Sequence, residues 1–189
     1  RWLDVLAPIA DADPLVVASN GAVVYDLHAD TVVRSHTLDV PLIGALAHDL
    51  RGALPGLLFA LEEGRRFSTE DAWAYHLPDA SRSLAQEESV TRRGAWASVL
   101  AEAGDVVKFL ALHPDADPDD LLAAATDVLG GRAEVTHSVT AGRRALLEMS
   151  APGISKAATI AELAAERGIT PAQVAAFGDM PNDLAMLEY

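Results

Sequence analysis

The chain has 189 residues, half of them apolar, enough to bury a core in one domain or two small ones. Its net charge of −14 argues against nucleic acid and anionic membrane surfaces as partners, because phosphate backbones need a basic footprint; a small phosphorylated ligand stays compatible, since one cation or one lysine reverses the sign locally. There is no cysteine, hence no disulfide or thiolate metal site, and neither a transmembrane-length apolar run nor a signal-peptide pattern occurs, so a cytoplasmic protein is the expectation.

The chain opens on Arg1-Trp2-Leu3-Asp4, which reads as helix, and stops at Glu188-Tyr189, which reads as the interior of another helix. With no opening methionine, the expectation is a fragment. Leu15–Ala18 is a short apolar run that reads as a buried strand, ended by the turn Ser19-Asn20-Gly21-Ala22. Ala22–Tyr25 and Thr31–Arg34 flank a polar stretch and predict a hairpin. A helix is expected from Val40, with Asp39 as cap, Pro41 in the first turn, and Leu42, Ile43, Leu46 and Leu50 on one face. Gly56–Glu63 reads as a strand. Residues 64–89 are the least regular part and carry no assignment.

Asp105–His113 reads as a strand. The clearest helix follows. Asp117 caps it, Pro118 opens it, Asp119 and Asp120 complement its dipole, and Gly130-Gly131 stops it. Its apolar stripe is Leu121, Leu122, Ala125, Val128 and Leu129. Arg132–Val139 alternates, with Ala133, Val135, His137 and Val139 on one face and Glu134, Thr136 and Ser138 on the other. His137 therefore reads as a core histidine. Arg144–Ser150 is expected to pair with this strand across residues 140–143. A helix from Lys156 to about Arg167 follows, capped by Ser155 and stopped by Gly168, with Ile160, Leu163 and Ala164 inward. Val174–Gly178 reads as a last strand. The order resembles a doubly wound α/β core interrupted by a mixed α+β domain.

That last strand runs into Asp179, Asn182 and Asp183. Strand ends carry the chemistry of such sheets. Mg²⁺ takes hard oxygen ligands and keeps waters, so one or two carboxylates suffice. Taken alone, the pattern more often caps a helix. Lys156 is a second signal. Cations favour the carboxyl end of a helix, so a lysine at the amino end is electrostatically misplaced. Such a misfit is expected where function overrides stability, though a lone lysine is usually just solvated. Other constellations fail. Asp115-x-Asp117-x-Asp119 lacks the glycine and glutamate of a calcium loop, and the histidines show no zinc spacing.

The segment "GISKAATIAELAAERGITPAQVAAFGDMPNDLAML" closely resembles the third and fourth motifs of the haloacid dehalogenase superfamily, in its Cof-type (type IIB cap) phosphatase branch. "ASNGAVVYD" (Ala18–Asp26) resembles the segment leading from core to cap in that branch. The resemblance implies an α/β fold: a partial Rossmann-like core in residues 1–30 and 151–189, and an inserted α+β cap, an open-faced sheet with helices on one side, in residues 31–150. It implies a Mg²⁺-dependent phosphatase acting on a small phosphorylated metabolite such as a sugar phosphate, through a phospho-aspartate. Lys156 would stabilise the phosphate and the nucleophile. Asp179 would bind Mg²⁺, and Asp183 would support the metal directly or through water. Asn182 would contact the phosphoryl group, and Asn20 would lie near the mouth as a substrate contact. The polar strand face of Glu134, Thr136 and Ser138 is a further candidate substrate surface, or simply a solvated one.

The family's first motif, D-x-D-G-T, which supplies the nucleophile, is absent from the 189 residues, as is the second, T-G-R. The expectation is therefore a truncated phosphatase without activity of its own, whose cap folds alone and whose core remnant folds poorly. The alternative is a non-catalytic binding module, a cap with a relic site. Retention of Lys156, Asp179, Asn182 and Asp183 favours the enzyme.

Overall fold

The computed structural model describes residues 6, 8, 11, 14–64, 66–76, 91–139, 145–179 and 181–189. The expected opening helix at residues 1–4 and the turn at 140–143 lie outside them. The chain divides into two compact units, Arg1–His36 with Gly153–Tyr189, and Thr37–Pro152.

In the first unit, β1 (Leu15–Ala18), β2 (Val23–Asp26) and β3 (Thr31–Ser35) form an antiparallel sheet in that order. The hairpin expected from Ala22 onward is β2–β3, with a register irregularity between Val24 and Tyr25. Since β3 pairs with β2, residues up to His36 stay with this unit. β1 is half-buried rather than fully buried, because it is an edge strand with β2 as its partner. α4 (Lys156–Glu166; the intervening helices follow below) packs on β1 and on the Ser19–Gly21 turn. Ser155 caps it by accepting from the Ala158 N–H at 3.1 Å. Arg34 of β3 clamps its far end, 3.1 Å from Glu162 and 2.7 Å from Glu166.

Two expectations fail at the carboxyl end. Val174–Gly178 is not a strand: among the described residues it has no ladder partner, and Phe177 is 88% exposed. An apolar run becomes a strand only where another backbone offers it hydrogen bonds. The final helix, α5 (Leu184–Leu187), is a single turn; Glu188 caps it, so Glu188-Tyr189 lie outside it.

The second unit contains α1 (Val40–Ala53), β4 (Leu58–Glu63), β5 (Arg66–Glu70), β6 (Thr91–Gly94), α2 (Trp96–Ala101), β7 (Lys108–His113), α3 (Pro118–Leu129), β8 (Glu134–Val139) and β9 (Ala145–Ser150). Its six strands run in the order β6-β5-β4-β7-β9-β8. Only the β5–β6 pair among them is parallel. Helices cover one face. Ile43, Leu46 and Leu50 of α1 and Leu121, Ala125 and Leu129 of α3 meet Phe59, Leu61, Phe109, Leu147 and Met149 of the strands in one core. Asp117 caps α3 as expected, accepting from the Asp119 and Asp120 N–H groups, and left-handed Gly130 ends it. Asp39 does so differently: its side chain makes no capping bond, and its carbonyl accepts from the Ile43 N–H at 2.9 Å.

The other sheet face is split. Trp73 covers Ala60, Leu110 and Leu112 at the apolar end. At the polar end, Lys108 Nζ sits 2.8 Å from Glu148 and 3.6 Å from Glu62, and the Ser138 hydroxyl donates to Glu148 at 2.7 Å. So Ser138 is spent in an internal network, while Glu134 is exposed. His137 lies toward the helices, with Nε2 2.8 Å from Asp119 of α3, but it is half-buried and stands outside the apolar core in which it was expected.

Candidate functional site

The site starts from the first residue of α4. Lys156 extends from the helix amino end, and its Nζ donates to Asp183 Oδ1 at 2.6 Å and to Asn182 Oδ1 at 3.4 Å. Asn182 lies 26 positions further along the chain and folds back to make this contact. Asp183 is 6% exposed. A carboxylate so far out of water needs a counter-charge, and the lysine supplies it. This accounts for a cation at the wrong end of a helix: the local dipole penalty is offset by the ion pair.

Gly178 sets the approach of the other strand of chain. A Cβ there would lie 2.4 Å from Asp183 Cβ and 2.7 Å from Cγ, so only glycine lets the backbone pass behind the carboxylate. Asp179, next in the chain, is exposed.

Asn20 sits in the turn that ends β1. Ser19, Asn20 and Gly21 have φ of 50°, 58° and 105°. Left-handed backbone is costly for serine, tolerated by asparagine and natural for the glycine. Gly21 is also sterically required, because a Cβ would lie 2.3 Å from the Ser155 carbonyl oxygen. The turn therefore abuts the residue that precedes Lys156. The Thr159 hydroxyl, buried at 1% exposure, donates to the Gly21 carbonyl at 2.9 Å and fastens the turn to the helix.

The structure thus brings Lys156, Asn182 and Asp183 into direct contact, and seats the Asn20 turn against the start of the same helix. Sequence reasoning missed Gly21, Thr159 and Gly178. The available signals were slight: a glycine after asparagine, a β-branched hydroxyl among helix alanines, and a glycine before an aspartate.

Asp179, Asn182 and Asp183 offer hard oxygen donors of the type that suits Mg²⁺. Among the described residues no three carboxylate or imidazole groups gather as a metal cage. The set fits an ion that keeps most of its waters and takes one or two protein carboxylates. A cavity of about 400 Å³ in the second unit, lined by Gly44, Ala47, His48, Arg51, Gly52 and Trp96, includes none of these residues. No helix among the described residues is long and apolar enough to cross a membrane.

The sequence profile of the haloacid dehalogenase-like hydrolases matches residues 3–189. No curated protein matches the chain. Several solved structures do. One from Eubacterium rectale is 21% identical with a TM-score of 0.70, over 96% of this chain and 64% of that one. A haloacid dehalogenase-like hydrolase from B. subtilis is 20% identical with a TM-score of 0.69, over 98% and 70%. A subclass IIB sugar phosphatase of the haloacid dehalogenase superfamily is 16% identical with a TM-score of 0.66, over 96% and 64%. At these identities the likeness is one of fold: a Rossmann-like core with an inserted α+β domain. The chain spans just under two thirds of the length of the first and third of these.

Proposed function

The chain belongs to the haloacid dehalogenase-like hydrolases, and from that premise we propose that it carries the phosphate- and metal-binding half of a Mg²⁺-dependent phosphatase for a small phosphorylated metabolite, such as a sugar phosphate. The observation that carries this reading is the contact of Lys156 Nζ with both Asp183 and Asn182. An ammonium held beside a carboxylate and an amide suits a phosphoryl group, since it places positive charge where the transferring oxygens need it. Lys156 and Asn182 are the proposed phosphoryl contacts, Asp179 and Asp183 the proposed metal ligands, and Asn20 a substrate contact at the mouth. Bound Mg²⁺ would neutralise phosphoryl oxygens in a protein of net charge −14. The second unit is the proposed cap.

The proposed reaction is attack on the phosphorus of the ester by an aspartate, which breaks the bond to the alcohol and releases it on protonation, followed by attack of water on the acyl phosphate to give inorganic phosphate and the free aspartate. The 189 residues contain no D-x-D-G-T, so this chain alone is expected to bind phosphate without turning over an ester. Calorimetric titration with inorganic phosphate in the presence of Mg²⁺ tests the reading. Saturable binding should weaken by about tenfold or more in Lys156→Gln, as expected for a lost charge-assisted contact. Equal binding by both proteins, or by neither, would overturn it.

A further inference from the structure

We propose that Thr159 is a positioning residue for this site: through its hydroxyl it holds the Ser19–Gly21 turn, and with it Asn20, against the Lys156 end of α4. The inference rests on the proposed function for what the turn serves, and on geometry alone for the coupling.

Three observations converge. First, Ser19, Asn20 and Gly21 are all left-handed. Asn20 tolerates this region but Ser19 does not favour it, so the turn gains from restraint by its surroundings. Second, the close approach of Gly21 to Ser155 supplies only a steric stop. A Cβ would lie 2.3 Å from the Ser155 carbonyl oxygen. Third, the Thr159 hydroxyl supplies a direct attraction, donating to the Gly21 carbonyl at 2.9 Å from a residue only 1% exposed. In such a site a lost bond is not replaced by bulk water, and the orphaned carbonyl carries the full desolvation penalty. Thr159 lies one helical turn beyond Lys156, so the bond links the turn to the same rigid segment that carries the lysine. The Ala22 N–H, which donates to the Ser19 carbonyl at 3.2 Å, closes the turn and reports on it.

The test compares Thr159→Val, which keeps the shape and removes the hydroxyl, with Thr159→Ser, which keeps the hydroxyl. Amide exchange read by NMR at Ala22 is set against exchange at Leu163, inside α4. In Thr159→Val, Ala22 exchange should rise by about tenfold while Leu163 changes by less than about twofold, and Thr159→Ser should restore the wild-type rate, following the cost of an unpaired buried carbonyl. Phosphate affinity with Mg²⁺ should fall by about fivefold to tenfold in Thr159→Val and recover in Thr159→Ser. Equal acceleration at Ala22 and Leu163 means a merely structural role and overturns the proposal. So does identical behaviour of the two variants. If wild type binds no phosphate, the functional reading fails, while Ala22 exchange still decides whether Thr159 holds the turn.

Discussion

Gly178 passes so close behind Asp183 that any side chain must push the carboxylate away. Gly178→Ala is therefore expected to separate Asp183 from Lys156 and weaken Mg²⁺-dependent phosphate binding by about tenfold, with an overpacking cost of about 1–3 kcal/mol in stability. Calorimetry and a urea melt read the two effects. Lys108 gives a prediction in pH. Burial alone would lower its pKa, but Glu148 and Glu62 outweigh burial, and the net direction is upward from the usual 10.5. A raised folded-state pKa means that its contribution to stability is whole below the unfolded value and is lost as pH rises through the folded one. The urea midpoint should therefore fall above about pH 10.5, and Lys108→Met should remove part of that fall. An unchanged alkaline limb in the variant contradicts the network. At this scale, Lys156 was legible because a cation at a helix amino end is a chemical misfit, whereas Asn182 and Asp183, which suit a helix start, stood out only together with it. The sequence hid Thr159, whose role is a contact with Gly21 far along the chain, and Gly178, whose role is a close approach to nearby Asp183 that only the folded turn creates.

Elements were legible where caps and periodicity agree. α3 has an aspartate cap, a proline in its first turn, an apolar stripe and a glycine stop, and all appear in place. Asp117→Ala should cost about 1 kcal/mol, the usual worth of such a cap, read as a shifted urea midpoint. β5, β6 and α2 were not foreseen. "RFSTE" and "TRRG" are short and polar, and they become strands because β4 offers an edge to β5 and β5 offers one to β6. α2 is six residues long, too short for periodicity to declare itself. Val174–Gly178 failed in the opposite direction: it has the composition of a strand but, among the described residues, no partner to complete it. Strand formation depends on the neighbour as much as on the segment.

At the scale of the molecule, the two units differ in what holds them together. The second has a continuous core between three helices and a six-stranded sheet. In the first, Phe177, Leu184 and Leu187 stand exposed at 88%, 60% and 47%. Residues 37–152 expressed alone should therefore fold cooperatively, and the intact chain should lose the first unit earlier in urea. A single coincident transition at both tryptophan fluorescence and first-unit amides would contradict this. The central claim is that the carboxyl-terminal turn and Lys156 form one Mg²⁺- and phosphate-binding site. Its most direct measurement is an NMR titration of the 189-residue chain with Mg²⁺ and inorganic phosphate. The account predicts saturable shifts centred on Asp179, Asn182, Asp183 and Lys156, with Asn20 following. Shifts centred elsewhere, or none at those residues, would contradict it.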